Sequence, residues 1–242
     1  MQNQFDPRTT GVTPAATVGV PRAARDAGLR SYMLSVYNYM ASGVLLTGIV
    51  AMLFASSGYA AEVMATPLRW LIILAPLGFV MVMSFGMHRL STGTLQTLFW
   101  SFAVAMGLSM STIFLVYTGV SIAQTFFAVS AGFAGLSLWG YTTKKDLSGW
   151  GTFLIMGVVG LLVAIVINLF LQSPAMMMAI SALGVLIFAG LTAYDTQRIK
   201  SLYDQVAGTD MMGKVVIMGA LNLYLDFINM FMFLLSFMGD RR

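Results

Sequence analysis

Long uninterrupted apolar runs dominate this chain, in place of the short alternating or amphipathic stretches of a water-soluble fold. Residues 90–143 hold no Asp, Glu, Lys or Arg over 54 positions, and residues 147–194 hold none over 48. A helix crosses the hydrocarbon core of a bilayer with about 20 residues, so each run is long enough for two spans and must turn back at an internal break. Thr118-Gly119 supplies one break and Gln172-Ser173-Pro174 the other. Divided in this way, the chain shows seven apolar segments, at about 31–55, 70–87, 94–117, 121–141, 150–171, 175–194 and 215–238. The pattern predicts an all-α integral membrane protein, a seven-transmembrane-helix bundle over residues 31–238, closed by a short tail at 239–242.

Residues 1–30 depart from this pattern. They are polar, rich in Thr, Pro, Ala and Gly, and carry Arg8, Arg22, Arg25 and Arg30 against Asp6 and Asp26. Such a stretch cannot bury enough apolar surface to offset its ordering entropy, so a disordered cytoplasmic tail is expected. No apolar core follows a basic start within thirty residues, so a signal peptide is not expected; a mitochondrial transit peptide is the alternative.

Composition sharpens the class. Hydrophobic residues make up 58% of the 242 and charged residues 9%, with mean hydropathy +0.84, against roughly 25% charged residues in a soluble domain. The net charge of +4 is small and dispersed, which excludes nucleic acid as a partner and reads as topology signal. With the N-terminus inside, ten Lys and Arg fall on the cytoplasmic side (Arg8, Arg22, Arg25, Arg30, Arg89, Lys144, Lys145, Arg198, Lys200 and Lys214) and three outside (Arg69, Arg241 and Arg242). The asymmetry predicts a cytoplasmic N-terminus and an external C-terminus. There is no cysteine and a single histidine, His88, which excludes disulfides, thiolate metal sites and any site needing two imidazoles. The 20 methionines read as packing filler between helices. Small residues four apart, Ala128 with Gly132 and Ala131 with Gly135, predict close helix contact within the bundle, with dimerisation the alternative. No cofactor is expected.

Only two carboxylates fall within or at the edge of a predicted span, Asp195 and Asp226. A carboxylate near the centre of a span costs about 2.5–3.5 kcal/mol on insertion scales, so something must offset Asp226. Lys214 lies about 18 Å away along a helix at 1.5 Å per residue. Asn222, Asp226 and Asn229 share one helical face, and a polar stripe on an apolar span points to a partner helix or a hydrated path. Asp195 has an escape that Asp226 lacks, because Arg198 follows three residues later on the same face. If the two carboxyls meet, they share a proton and act as a switch; fully deprotonated, they form a hard oxygen site suited to calcium. His88 and Arg89 end the second segment at the same face, as partners for the pair or as positive-inside anchors.

The segment Ala-Tyr-Asp-Thr-Gln-Arg-Ile-Lys at 193–200, followed by Leu-Tyr-Leu-Asp-Phe-Ile-Asn-Met-Phe at 223–231, resembles the transmembrane Bax inhibitor motif family, and its bacterial members most. The resemblance covers about residues 30–240. It implies a bundle in which six helices surround a central seventh, in the bacterial inner membrane, and a pH-sensitive calcium leak whose sensor is a hydrogen-bonded Asp195–Asp226 pair. It also implies a basic latch at the end of the second segment. Bacterial relatives can carry a run of arginines there, where this chain has His88-Arg89-Leu90, so Arg89 or His88 takes that place.

The leading expectation is therefore a calcium leak gated by protonation of the pair, with Asn222 and Asn229 lining the path, and with the bilayer, calcium and protons as partners. Calcium is the transported or bound species, at Asp195 and Asp226. A non-transporting regulator that binds other membrane proteins is the alternative, and the Arg-bearing tail suits it. An intramembrane aspartyl protease is the third reading: it also pairs a Tyr-Asp with an Asp in the next span, but Leu223-Tyr224-Leu225 stands where that family has Gly-x-Gly. No enzyme activity is expected.

Overall fold

The computed structural model describes residues 22–242. Nine helices occur among them: α1 (Arg22–Ser56), α2 (Tyr59–Ala65), α3 (Leu68–Gly86), α4 (Thr92–Met110), α5 (Ile113–Val116), α6 (Gly119–Thr142), α7 (Ser148–Leu171), α8 (Pro174–Val206) and α9 (Met211–Met238). Seven spans are long and apolar enough to cross a membrane, α4 and α5 together making one of them. The breaks expected from sequence are the breaks found. Thr118 caps α6 by accepting from the Ser121 amide, Ser173 caps α8 by accepting from the Met176 amide, and Pro174 occupies the first turn of α8, where its missing N–H costs nothing.

Two helices overrun the expected segments for one reason. At 1.5 Å per residue, α1 and α8 are each about 50 Å long against a hydrocarbon core of about 30 Å. Their excess is amphipathic rather than apolar. Along α8 the buried residues continue beyond Tyr194 as Thr196, Ile199, Tyr203 and Val206, while charges occupy the other face. The start of α1 packs against this extension. Arg25 donates to both Asp204 carboxylate oxygens, at 2.8 and 2.5 Å, Gly28 abuts Tyr203, and Leu29 and Tyr32 are buried. Residues 22–30, expected in the disordered tail, are thus helical; residues 1–21 of that tail lie outside the described residues.

The chain's spans differ sharply in enclosure. In α9, 72% of the most apolar window is buried, against 33% or less in every other span, and α9 packs on α8, α1, α6 and α4. α3 packs chiefly on α4, and α7 on α8. Both α1 and α6 lie against α9, yet cavities separate them from each other. At the end of the bundle opposite Asp204, the C-terminal tail is tied down: the Thr118 amide donates to Asp240 O at 3.1 Å and the Arg242 amide to Val116 O at 2.9 Å.

The small-residue stripe on α6 corrects an expectation. Ala128, Ala131, Gly132 and Gly135 face outward, and a Cβ on Gly132 or Gly135 would meet nothing within 4 Å. Close approach is made instead by Gly140, where a Cβ would lie 2.4 Å from the carbonyl oxygen of Ala193 on α8. Only glycine allows these two backbones to touch.

Candidate functional site

α8 and α9 are antiparallel, joined by the turn at 207–210, and share the most extensive helix contact in the molecule. Asp195 lies about 17 Å before the end of α8 and Asp226 about 23 Å after the start of α9, at helical rise. Both helices continue past the apolar stretches, so the two positions differ by only about one helical turn in their distance from the connecting turn, and the two carboxyl groups lie close enough to act on each other. Asp195 is half-buried and Asp226 is 4% exposed. No donor among the described residues reaches the buried Oδ2 of Asp226. Two carboxylates are both acceptors, so a bond between them requires a proton on one.

The remaining polar letters of 193–200 each have a distinct contact. Thr196 exchanges a hydrogen bond of 2.9 Å with Ser137 on α6, both buried. Gln197 accepts from the Leu147 amide and donates to Lys145 O, each at 2.8 Å, which clamps the α6–α7 turn onto α8. Arg198, one turn past Asp195, is the cation that acts on it. Lys200 donates to Tyr141 O at 2.7 Å and sits 4.8 Å above that residue's ring, so an ammonium satisfies the carbonyl end of α6. Asp195 is therefore held in a frame built by its own sequence neighbours.

On α9 the neighbours of Asp226 are equally fixed. Thr47 donates to Ala103 O at 2.9 Å, which uses its one proton, so in the 2.6 Å contact with Tyr224 the phenol is the donor. Tyr224 is fully buried against Phe99 and Phe102 and ties α9 to α1 and α4. Removing that hydroxyl as Tyr224→Phe leaves Thr47 its carbonyl partner, so a cost of about 0.5–1.5 kcal/mol is expected, read as a lower thermal midpoint in detergent with the helical circular dichroism unchanged. Phe227 is gripped between Phe126 and Phe133 of α6, with ring centroids 5.7 and 5.5 Å away.

The other sequence candidates are placed less centrally. Asn222 and Asn229 are half-buried. The Asn229 amide nitrogen donates to Leu225 O of its own helix at 2.8 Å, which leaves its oxygen available. Neither asparagine bonds to Asp226. His88 and Arg89 are exposed in the turn after α3, and this structure does not bring them to the carboxyl pair; the cation that acts on Asp195 is Arg198. Among the described residues no group of three or more His, Cys, Asp or Glu is arranged to hold a metal ion. Ser137, Thr196, Gln197 and Lys200 were not among the sequence candidates. The signal for three of them was present in the motif, whose Thr196, Gln197 and Lys200 reach α6 and the α6–α7 turn.

Known proteins are similar in sequence to this chain along nearly its whole length. The family model described as inhibitor of apoptosis-promoting Bax1 matches residues 29–242. The inner membrane protein YbhL of Escherichia coli K12 is 45% identical over 220 residues, covering 89% of this chain and 94% of its own. The uncharacterized protein RP147 of Rickettsia prowazekii is 47% identical over 219 residues, covering 90% and 92%. An uncharacterized protein of Caulobacter vibrioides is 45% identical over 228 residues, covering 90% and 91%. With seven apolar spans and a family match that reaches across all of them, the chain is an integral membrane protein that belongs to the Bax inhibitor-like family.

Proposed function

We propose that the protein is a pH-sensitive calcium leak of the bacterial inner membrane, gated by the proton that Asp195 and Asp226 share. The observation that carries this reading is the Asp195–Asp226 contact at a buried carboxyl with an unpartnered oxygen, in the most enclosed span of the bundle. An ionisable pair inside a membrane protein is a marker of an ion or proton path.

The mechanism follows from the contact. While one proton is shared, the carboxyls bind each other, α8 and α9 stay together, and the path past Asp226 is closed. When the proton leaves, two like charges face each other in a poorly hydrated site and repel. Separation of α8 from α9 then admits water and a cation, which neutralises the pair. Calcium takes six to eight oxygens, and two carboxylates with the Asn229 amide oxygen supply only some of them, so the ion passes with part of its water retained. This donor set favours transit over tight storage. Arg198 opposes entry of cations and stabilises the deprotonated Asp195 in the open state. Arg89 or His88 acts as a latch only if the α3–α4 turn moves toward the pair. The test is calcium flux into proteoliposomes as a function of pH, with either aspartate replaced by asparagine; the reading requires flux that rises with pH and loses that dependence in both variants.

A further inference from the structure

Between α1 and α6 the bundle is left open. A cavity of about 540 Å³ lies in that gap at the end bearing Arg30, lined by Arg30, Leu34, Tyr37, Ala41, Ala134 and Tyr141 among others, and a second of about 310 Å³ continues toward the opposite end. The ring of Phe227, held between Phe133 of the first cavity and Phe126 of the second, divides them. We propose that the first cavity is a binding groove for one acyl chain of an anionic phospholipid, with the lipid's phosphate held at Arg30.

Three observations select this occupant. The groove runs along α1 from Arg30 to Ala41, about 16 Å at helical rise and so the depth of one bilayer leaflet. Its walls are apolar below the mouth and polar at the mouth, where Arg30 forms no ion pair among the described residues and Lys200 reaches across to Tyr141. That arrangement matches a phospholipid with negative charge at the interface and methylenes beneath it. A transmembrane helix does not fit: it takes about 400–600 Å³ per turn and needs three turns to cover 16 Å. The groove also borders the site already described. Ser137, which bonds to Thr196, and Phe133, which packs on Phe227, both line it, so its wall touches the immediate neighbours of both aspartates. Lipid binding here does not depend on what those aspartates conduct.

Native mass spectrometry of the full chain in mild detergent, supplied with equal phosphatidylglycerol and phosphatidylcholine, tests the assignment. The wild type should retain one phosphatidylglycerol in preference to phosphatidylcholine. Arg30→Gln should reduce that preference about fivefold, and Ala134→Trp, which narrows the groove partway along it, should weaken retention of both lipids. Because Arg30 is exposed, its substitution does not threaten folding, and an unchanged circular dichroism spectrum verifies this. Equal retention of the two lipids by the wild type, phosphatidylglycerol retention insensitive to Arg30→Gln, or a lipid-free dimer with a second copy seated in the gap would each overturn the proposal.

Discussion

Replacing Asp195 and Asp226 together by leucine raises the stability of the bundle while strongly lowering calcium flux. The Asp226 carboxyl is 4% exposed and one of its oxygens has no protein donor, whereas leucine matches its neighbours Leu221, Leu223 and Leu235, all buried. Exchanging both members of a buried polar pair for packed apolar side chains is commonly neutral or stabilising, and about 1–2 kcal/mol of gain is expected for the double replacement. Both carboxyls are replaced together because Asp195 is itself largely buried, and removing Asp226 alone would leave it without its neighbour. The opposite changes in the two readouts are the signature of residues kept for function at a cost in stability. Thermal unfolding in detergent measures the first, and flux in proteoliposomes, expected to fall by at least about tenfold, measures the second. A loss of stability would mean that the pair serves as structural glue.

Substituting glycines on α6 gives opposite signs within one helix. Gly132→Ala adds a methyl where nothing lies within 4 Å, so helix propensity alone acts and about 0.5–1 kcal/mol of stabilisation follows. Gly140→Ala gains the same propensity but places its Cβ 2.4 Å from Ala193 O, a backbone atom that cannot rotate away. Overpacking of this kind costs about 1–3 kcal/mol, so the clash wins and the protein is destabilised. The displaced α8 segment carries Asp195 two residues beyond Ala193. Gly140→Ala therefore lowers the thermal midpoint and also disturbs the pH response of flux, whereas Gly132→Ala leaves that response intact.

The seven spans were legible in the sequence because hydropathy is additive along a segment and the breaks at Thr118-Gly119 and Ser173-Pro174 carry turn chemistry. Helix ends were not legible where charges begin. A hydropathy window stops at Asp195, but α8 continues for eleven residues with Thr196, Ile199, Tyr203 and Val206 inward, a periodicity that a mean over the window erases. That same error made the separation in depth between Asp195 and Asp226 look larger than the one helical turn it is, since nominal spans placed them at different levels. The inward or outward direction of the α6 glycines was also hidden, because a small residue is compatible with lipid and with a neighbouring backbone alike. Both aspartates stood out by cost, as the two carboxyls within or at the edge of an apolar span, but their spacing left contact between them open, and the paired reading came from the family resemblance. The partners of Thr196, Gln197 and Lys200 depend on which helix lies opposite, and no local pattern encodes that.

The central claim is that the shared proton is the gate, and calcium flux into proteoliposomes measured from pH 5 to 8 tests it most directly. Stability is monitored in parallel, so that a lost response is separated from a lost fold. The shared-proton account predicts low flux at pH 5 for the wild type and a single rise with increasing pH, as the proton leaves the pair. Asp195→Asn and Asp226→Asn each remove one of the two titrating carboxyls, and both profiles become flat while the thermal midpoint is kept. A wild type without flux, or a pH profile that survives both substitutions in folded protein, contradicts the account and moves the regulator reading ahead.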